Sequence, residues 1–156
     1  MINAAPAYGF AARRPLALLV LAASGVANLF AVAVAATYVA RVQTSTTVFA
    51  SQKVEALRAL AWSDAARSAT RADALDSNVA GSVEHLDARG IVVSVNTVAP
   101  SSGRFIRRWS IRPLPEDPGN ALIVQVLVTA AEAERRATRP RQRVAGDALV
   151  TTILAR

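Results

Sequence analysis

The chain has 156 residues, with 18 Lys plus Arg against 11 Asp plus Glu for a net charge of +7, which is room for one modest domain and an appendage but not for a multidomain enzyme. It contains no Cys and a single His, His85, so disulfide scaffolds, thiolate metal sites, cysteine nucleophiles and histidine clusters are excluded. Apolar residues make up 53% and mean hydropathy is +0.30, so part of the chain is built to leave water.

That part is concentrated near the N-terminus. Leu16 to Val39 is a run of 24 uncharged residues, of which eleven are Leu, Val or Phe and eight are Ala. As a helix it reaches about 36 Å, enough to cross a hydrocarbon core of about 30 Å with some tilt. Arg13 and Arg14 precede the run, Pro15 suits a first helical position, and Arg41 stands alone beyond it. The positive-inside bias then predicts a cytoplasmic N-terminus, with everything after residue 40 on the far side. A cleaved signal is the rival reading, with small-residue sites at Ala31-Val32-Ala33 or Ala33-Val34-Ala35 and a faint twin-arginine start. The length of the apolar run favours a retained anchor. Ala23, Ala27, Ala31 and Ala35 recur every fourth residue and form a small-residue ridge that would let helices approach in lipid. Asn28 is placed to hydrogen-bond a neighbouring helix or its own backbone.

Between Arg41 and Trp62 there is no Gly or Pro, and Phe49, Ala50, Val54, Leu57 and Ala61 fall on one helical face. Glu55 and Arg58 can pair on the wet side. The spacing predicts one continuous helix from Leu16 to Trp62, with an apolar face on its second half that needs a partner surface. Ser63 to Ser77 reads as a connecting loop with at most a helical turn.

From residue 78 the period changes from 3.6 to 2. Asn78–Leu86 and Ile91–Val98 flank Asp87-Ala88-Arg89-Gly90, which reads as a hairpin with Gly90 in the left-handed position. In the next strand Phe105, Arg107, Trp109 and Ile111 share one face, and Ile106, Arg108, Ser110 and Arg112 the other. The cluster Pro113 to Asn120 reads as a strand breaker. Leu122, Val124, Val126 and Val128 mark a central strand covered by the helix, Ala130–Arg143 a short helix or loop, and Ala148–Leu154 a last strand. The expected class is α+β. It comprises a leader-like segment (1–15), a transmembrane helix (16–40), an amphipathic stalk (41–62) and a β-rich head (63–156).

An anchored helix that continues as a stalk and docks on a small antiparallel sheet resembles the type IV pilin and type II secretion pseudopilin superfamily. The likeness is most specific in Ala50-Ser51-Gln52-Lys53-Val54-Glu55-Ala56-Leu57-Arg58-Ala59-Leu60-Ala61-Trp62 and in Phe105-Ile106-Arg107-Arg108-Trp109-Ser110-Ile111, with Leu122 to Thr129 following. The resemblance implies a prepilin-type structural subunit whose partners are membrane lipid and other pilin or pseudopilin subunits, met through the N-terminal helix. It also implies peptidase cleavage between Gly9 and Phe10, methylation of the new terminus, and filament incorporation from a bacterial inner membrane with the head periplasmic. At the fifth residue counted from Phe10 this chain has Arg14 where the family has Glu, and no Glu occurs before Glu55. A divergent minor subunit and a fixed, membrane-anchored relative are therefore both open.

No catalytic constellation emerges. His85 with Glu84 and Asp87 reads as an ordinary surface cluster, and no phosphate loop, zinc spacing or nucleophile elbow occurs, so neither enzyme activity, cofactor nor metal is expected. The alternative function is a membrane-anchored or secreted binding module. Arg104, Arg107, Arg108 and Arg112, interleaved with Phe105 and Trp109, would offer a polyanion such as DNA a basic face with stacking rings. The competing reading makes Phe105 and Trp109 core and the arginines a solvated face.

Overall fold

A computed structural model describes residues 13–60, 62–70, 72–136 and 146–156. The chain divides into two units, one ending at Tyr38 and one running Val39–Arg156. It is α+β: a long N-terminal helix and a five-stranded antiparallel sheet in the order β2-β1-β3-β4-β5. The elements are helix α1 (Arg13–Arg58), helix α2 (Trp62–Arg67), a 3-10 helix at Ala72–Leu75, strands β1 (Val83–Leu86), β2 (Val92–Ser94), β3 (Phe105–Leu114) and β4 (Asp117–Ala130), helix α3 (Ala131–Arg136), and strand β5 (Ala148–Ala155).

α1 ends four residues earlier than the stripe of apolar positions predicts. Ala59 still bonds Glu55 O, but Leu60 N–H tightens to Leu57 O, Leu60 is 41% exposed, and the chain turns before Trp62. The turn has a packing reason. It brings Trp62 and Ala65 of α2 back onto the core, which a straight helix would have carried away. Ala61 lies outside the described residues. The expected loop over Ser63–Ser77 instead holds α2 and the 3-10 helix, whose Ala74 and Leu75 are buried. Thr70 serves both backbone groups of Ile111: its N–H donates to Ile111 O at 2.8 Å and its hydroxyl accepts from Ile111 N at 2.9 Å. The segment thereby satisfies β3 beyond the end of β1, as buried backbone requires.

The first hairpin is shorter than expected, but its turn follows the sequence signal. Gly90 has φ +85°, Asp87 Oδ1 accepts from the N–H groups of Arg89 (2.8 Å) and Ile91 (2.9 Å), and Asp87 N donates to Ile91 O. A Cβ at Gly90 would lie 2.3 Å from the Phe49 ring, so close approach as well as backbone conformation selects glycine.

The segment Pro113 to Asn120 does not break the sheet. β3 runs through Pro113 to Leu114 and β4 begins at Asp117, so only Pro115 and Glu116 form the turn. The prolines are accommodated by a register shift between Pro113 and Leu114: Leu114 pairs with Asp117 while Pro113 pairs with Leu122. Pro118 and Gly119 thus fall in a bulge where no ladder partner is needed. From there β4 pairs on one side with β3 down to Phe105↔Ala130, and on the other with all eight residues of β5.

One face of this sheet meets the second half of α1. Phe49, Ala50, Val54 and Leu57 pack with Leu86, Phe105, Trp109, Ile111, Leu122, Val124, Val126, Val128 and Ala148 in a single buried cluster. The alternation read from the sequence therefore assigns the inner face correctly on β3 and β4, and Phe49 meets Phe105 edge to face at 5.2 Å. The opposite face carries a smaller cluster of Val83, Ile106 and Ala131 under α3.

Candidate functional site

Two features of this fold lie beyond what a globular core needs. The first belongs to the N-terminal unit. α1 from Leu18 onward is long and apolar enough to cross a membrane, and none of its most apolar stretch is buried; Leu29 and Phe30 are each 72% exposed. Two of its polar residues, Ser24 and Thr37, are turned on their own backbone. Ser24 Oγ donates to Val20 O (2.8 Å) and Leu21 O (3.1 Å), and Thr37 Oγ1 donates to Ala33 O (2.9 Å). The helix itself thus satisfies hydroxyls that lipid could not. Ala23, Ala27, Ala31 and Ala35 all lie on this helix and are exposed. Gly9 and Phe10 lie outside the described residues.

The second feature is a charged clamp inside the other unit, where α1 meets the sheet. Lys53 Nζ donates to Glu84 Oε1 at 2.6 Å and stands 3.7 Å over the Trp109 ring. Arg107 donates through Nε to Glu84 Oε2 at 2.8 Å, is paired to the same oxygen through a second guanidinium nitrogen, and reaches Phe49 O at 3.1 Å. The side chains of Lys53, Glu84 and Arg107 are 15%, 13% and 9% exposed. Strand register builds the group, because Glu84 on β1 lies opposite Arg107 on β3 and both face α1. Burial alone would push the Glu84 carboxyl up, but the hydrogen bonds and charges of Lys53 and Arg107 outweigh it and hold the group below its ordinary value. One carboxylate between two cations joins three elements. A register of helix on sheet that parted Glu84 from Lys53 and Arg107 would leave buried charge unpaired.

The four arginines read as a polyanion face are not gathered on one surface. Arg107 is in the clamp. Arg108 is buried on the opposite side, donating to Asn78 Oδ1 through Nε (2.9 Å) and through a terminal nitrogen (2.6 Å), and paired with Glu134 of α3. Arg112 is half-buried and donates to Gln125 Oε1 at 2.8 Å, and Arg104 alone is fully at the surface. The expected solvated face is thus corrected: α3 and the chain around Asn78 cover it. Phe105 and Trp109 are core rings and cannot stack on a base.

The grouping of His85 with Glu84 and Asp87 as a surface cluster is corrected as well. Alternation sends their side chains to different places. Glu84 enters the clamp, Asp87 orders the turn, and His85 is fully buried on the other face with Nε2 2.9 Å from Asn96 O. Its neighbour there is the chain from Asn96 to Gly103, the first residues of which are expected from the sequence to continue the strand that ends at Ser94. Backbone N–H donors, that of Ile91 foremost, hold the Asp87 carboxyl below its usual range. Among the described residues, no group of three or more His, Asp or Glu is placed to hold a metal ion.

Compared with protein-family models, with curated proteins and with solved structures, the chain shows no match to any of the three.

Proposed function

We propose that the chain is a pilin-like or pseudopilin-like structural subunit, anchored in a bacterial inner membrane and acting through its N-terminal helix rather than through catalysis. One observation carries the reading. A single helix, Arg13–Arg58, begins with an uncovered apolar stretch of membrane-crossing length and ends with Phe49, Ala50, Val54 and Leu57 buried on an antiparallel sheet. A soluble protein would have no reason to leave the first stretch in water, at about 25 cal/mol per Å2 of apolar surface. Arg13 and Arg14 before the stretch favour a cytoplasmic N-terminus and a periplasmic head. The ridge Ala23, Ala27, Ala31 and Ala35 is the surface through which a second helix would approach in lipid.

The intact mass of the protein recovered from membranes tests the reading. Loss of the nine residues through Gly9, with a methyl group on Phe10, supports a processed subunit. An unprocessed, membrane-retained chain supports the fixed-anchor form. Loss of about thirty-five residues, with the remainder soluble, is the behaviour of a cleaved export signal and defeats the proposal.

A further inference from the structure

On the face of the sheet turned away from α1, strand register sets a polar row across three strands. Ser110 of β3 pairs with Gln125 of β4, and Gln125 with Thr151 of β5. Arg112, two positions beyond Ser110 and on the same face, reaches back to this row and donates through Nη2 to Gln125 Oε1 at 2.8 Å. Gln125 Nε2 in turn lies 3.4 Å from Thr151 Oγ1. The row is graded in exposure. Ser110 is fully buried, Gln125 half-buried and Thr151 exposed, so it opens to solvent on the β5 side, where Leu149 and Ile153 flank Thr151 at 45% and 56% exposure.

Two donors of the row are left over. Ser110 Oγ and Arg112 Nε are both buried and have no hydrogen-bond partner. Burying such groups is costly unless something accepts from them. Two other arginines of β3 show what Arg112 lacks. Arg107 directs Nε and Nη2 together at Glu84 Oε2, Arg108 directs the same two nitrogens at Asn78 Oδ1, and each has a carboxylate, Glu84 for one and Glu134 for the other. On Arg112 the neutral Gln125 amide engages only Nη2, and no carboxylate pairs with it among the described residues. Glu134 is engaged by Arg108. The leftover groups are thus donors beside an uncompensated positive charge, which an anionic acceptor satisfies best.

We propose that Ser110 and Arg112 form a binding site for a carboxylate carried on an apolar body of amino-acid size. Entering from the β5 side, the carboxylate displaces the Gln125 amide and accepts from Arg112 Nε and Nη2 together, the fork in which arginine holds a carboxylate most strongly. Ser110 donates the remaining hydrogen bond. The body lies outward along the row toward Leu149 and Ile153; β5 is two strand spacings from β3, roughly 10 Å, which such a body bridges. The row lies wholly within Val39–Arg156, so the site stands whether or not the first stretch of α1 is a membrane anchor.

Arginine Nε–H resonances of the isotope-labelled full chain in detergent test the proposal, with the Arg112 signal identified by its loss in Arg112→Lys. N-acetyl-leucine should shift that signal to saturation, uncharged N-acetyl-leucinamide should leave it unmoved, and acetate, which has no body to meet Leu149 and Ile153, should act only at higher concentration. Hexanoate matching N-acetyl-leucine marks a free organic acid as the natural source, and a preference for N-acetyl-leucine marks a peptide terminus. Ser110→Ala should weaken binding by about tenfold, the worth of one hydrogen bond to a charged group. Gln125→Ala should bind at least as tightly as the wild type. Arg112→Lys keeps the net charge but lacks the fork, and binding followed at the Thr151 amide should be lost. An Arg112 signal that N-acetyl-leucine does not move overturns the inference, as do equal shifts from the uncharged amide. Wild-type affinity in Ser110→Ala and Arg112→Lys chains overturns it too, with near-ultraviolet circular dichroism showing that both are folded.

Discussion

Replacing Glu84 by Gln keeps the shape of the side chain and removes its charge. Lys53 and Arg107 would then be two cations held together at 15% and 9% exposure with no anion between them. Breaking a buried ion pair by removing one partner costs about 3–5 kcal/mol, and the residual exposure here puts the expected loss near the lower end, about 3 kcal/mol. For a unit of the size of Val39–Arg156, at about 4 °C per kcal/mol, that is a fall of about 12 °C in Tm. The melt of the full chain in detergent, followed by near-ultraviolet circular dichroism, reads it, because Trp109 lies under Lys53. Lys53→Met in the same chain should recover part of the loss by removing one of the stranded charges. The pH dependence has a definite sign. The Glu84 carboxyl is held below its ordinary 4.5 in the folded chain, so its contribution is fully present above that value and is lost as pH falls through the lower, folded value. Glu84→Gln should therefore lose stability chiefly above pH 4.5 and converge on the wild type in acid. A Glu84→Gln chain within about 0.5 kcal/mol of wild type at neutral pH would refute the clamp as a determinant of docking.

Three further outcomes are expected. Gly90→Ala should destabilise by about 1–3 kcal/mol, because alanine resists φ +85° and its Cβ would press on the Phe49 ring; a chemical-denaturation midpoint measures it. On the proposed membrane-anchored reading, Leu29→Arg, at the exposed middle of the apolar stretch, should add about 2.5–3.5 kcal/mol to insertion and lower the share of protein in the carbonate-resistant membrane fraction. Arg108→Ala should lower stability, read as a fall in Tm, by stranding Glu134 and Asn78, whereas Arg104→Ala, at the surface, should change stability by less than about 0.5 kcal/mol.

The docking of helix on sheet is legible in periodicity alone. The stripe Phe49, Ala50, Val54, Leu57 and the alternation Phe105, Arg107, Trp109, Ile111 name the two surfaces that meet, and the Glu55–Arg58 pair forms at 3.0 Å as spacing predicts. Alternation tells which residues share a face but not what covers it. That is why Arg108 and His85 read as surface residues: their cover comes from α3, the chain near Asn78 and residues 96–103, and periodicity does not place these over that face. Arg107 could be assigned to the helix side, yet its partner Glu84 lies 23 positions away and is brought to it by strand register, and Lys53, which shares that carboxylate, comes from α1. The segment Pro113 to Asn120 misled for a different reason. Proline forbids a ladder bond, but a bulge removes the need for one.

Thr46, fully buried on α1, donates its hydroxyl to Gly146 O at 2.7 Å, a bond between residues 100 positions apart, and β5 follows directly. A ribosome adding about 5–20 residues per second needs roughly 5–20 s to travel that distance. During that interval β1, β3 and β4 are made in turn, and the cluster over Phe49, Val54 and Leu57 is completed only when β5 brings Ala148. The nascent chain therefore passes through a stage in which part of this apolar stripe is still uncovered, and the cluster closes only when the last strand arrives.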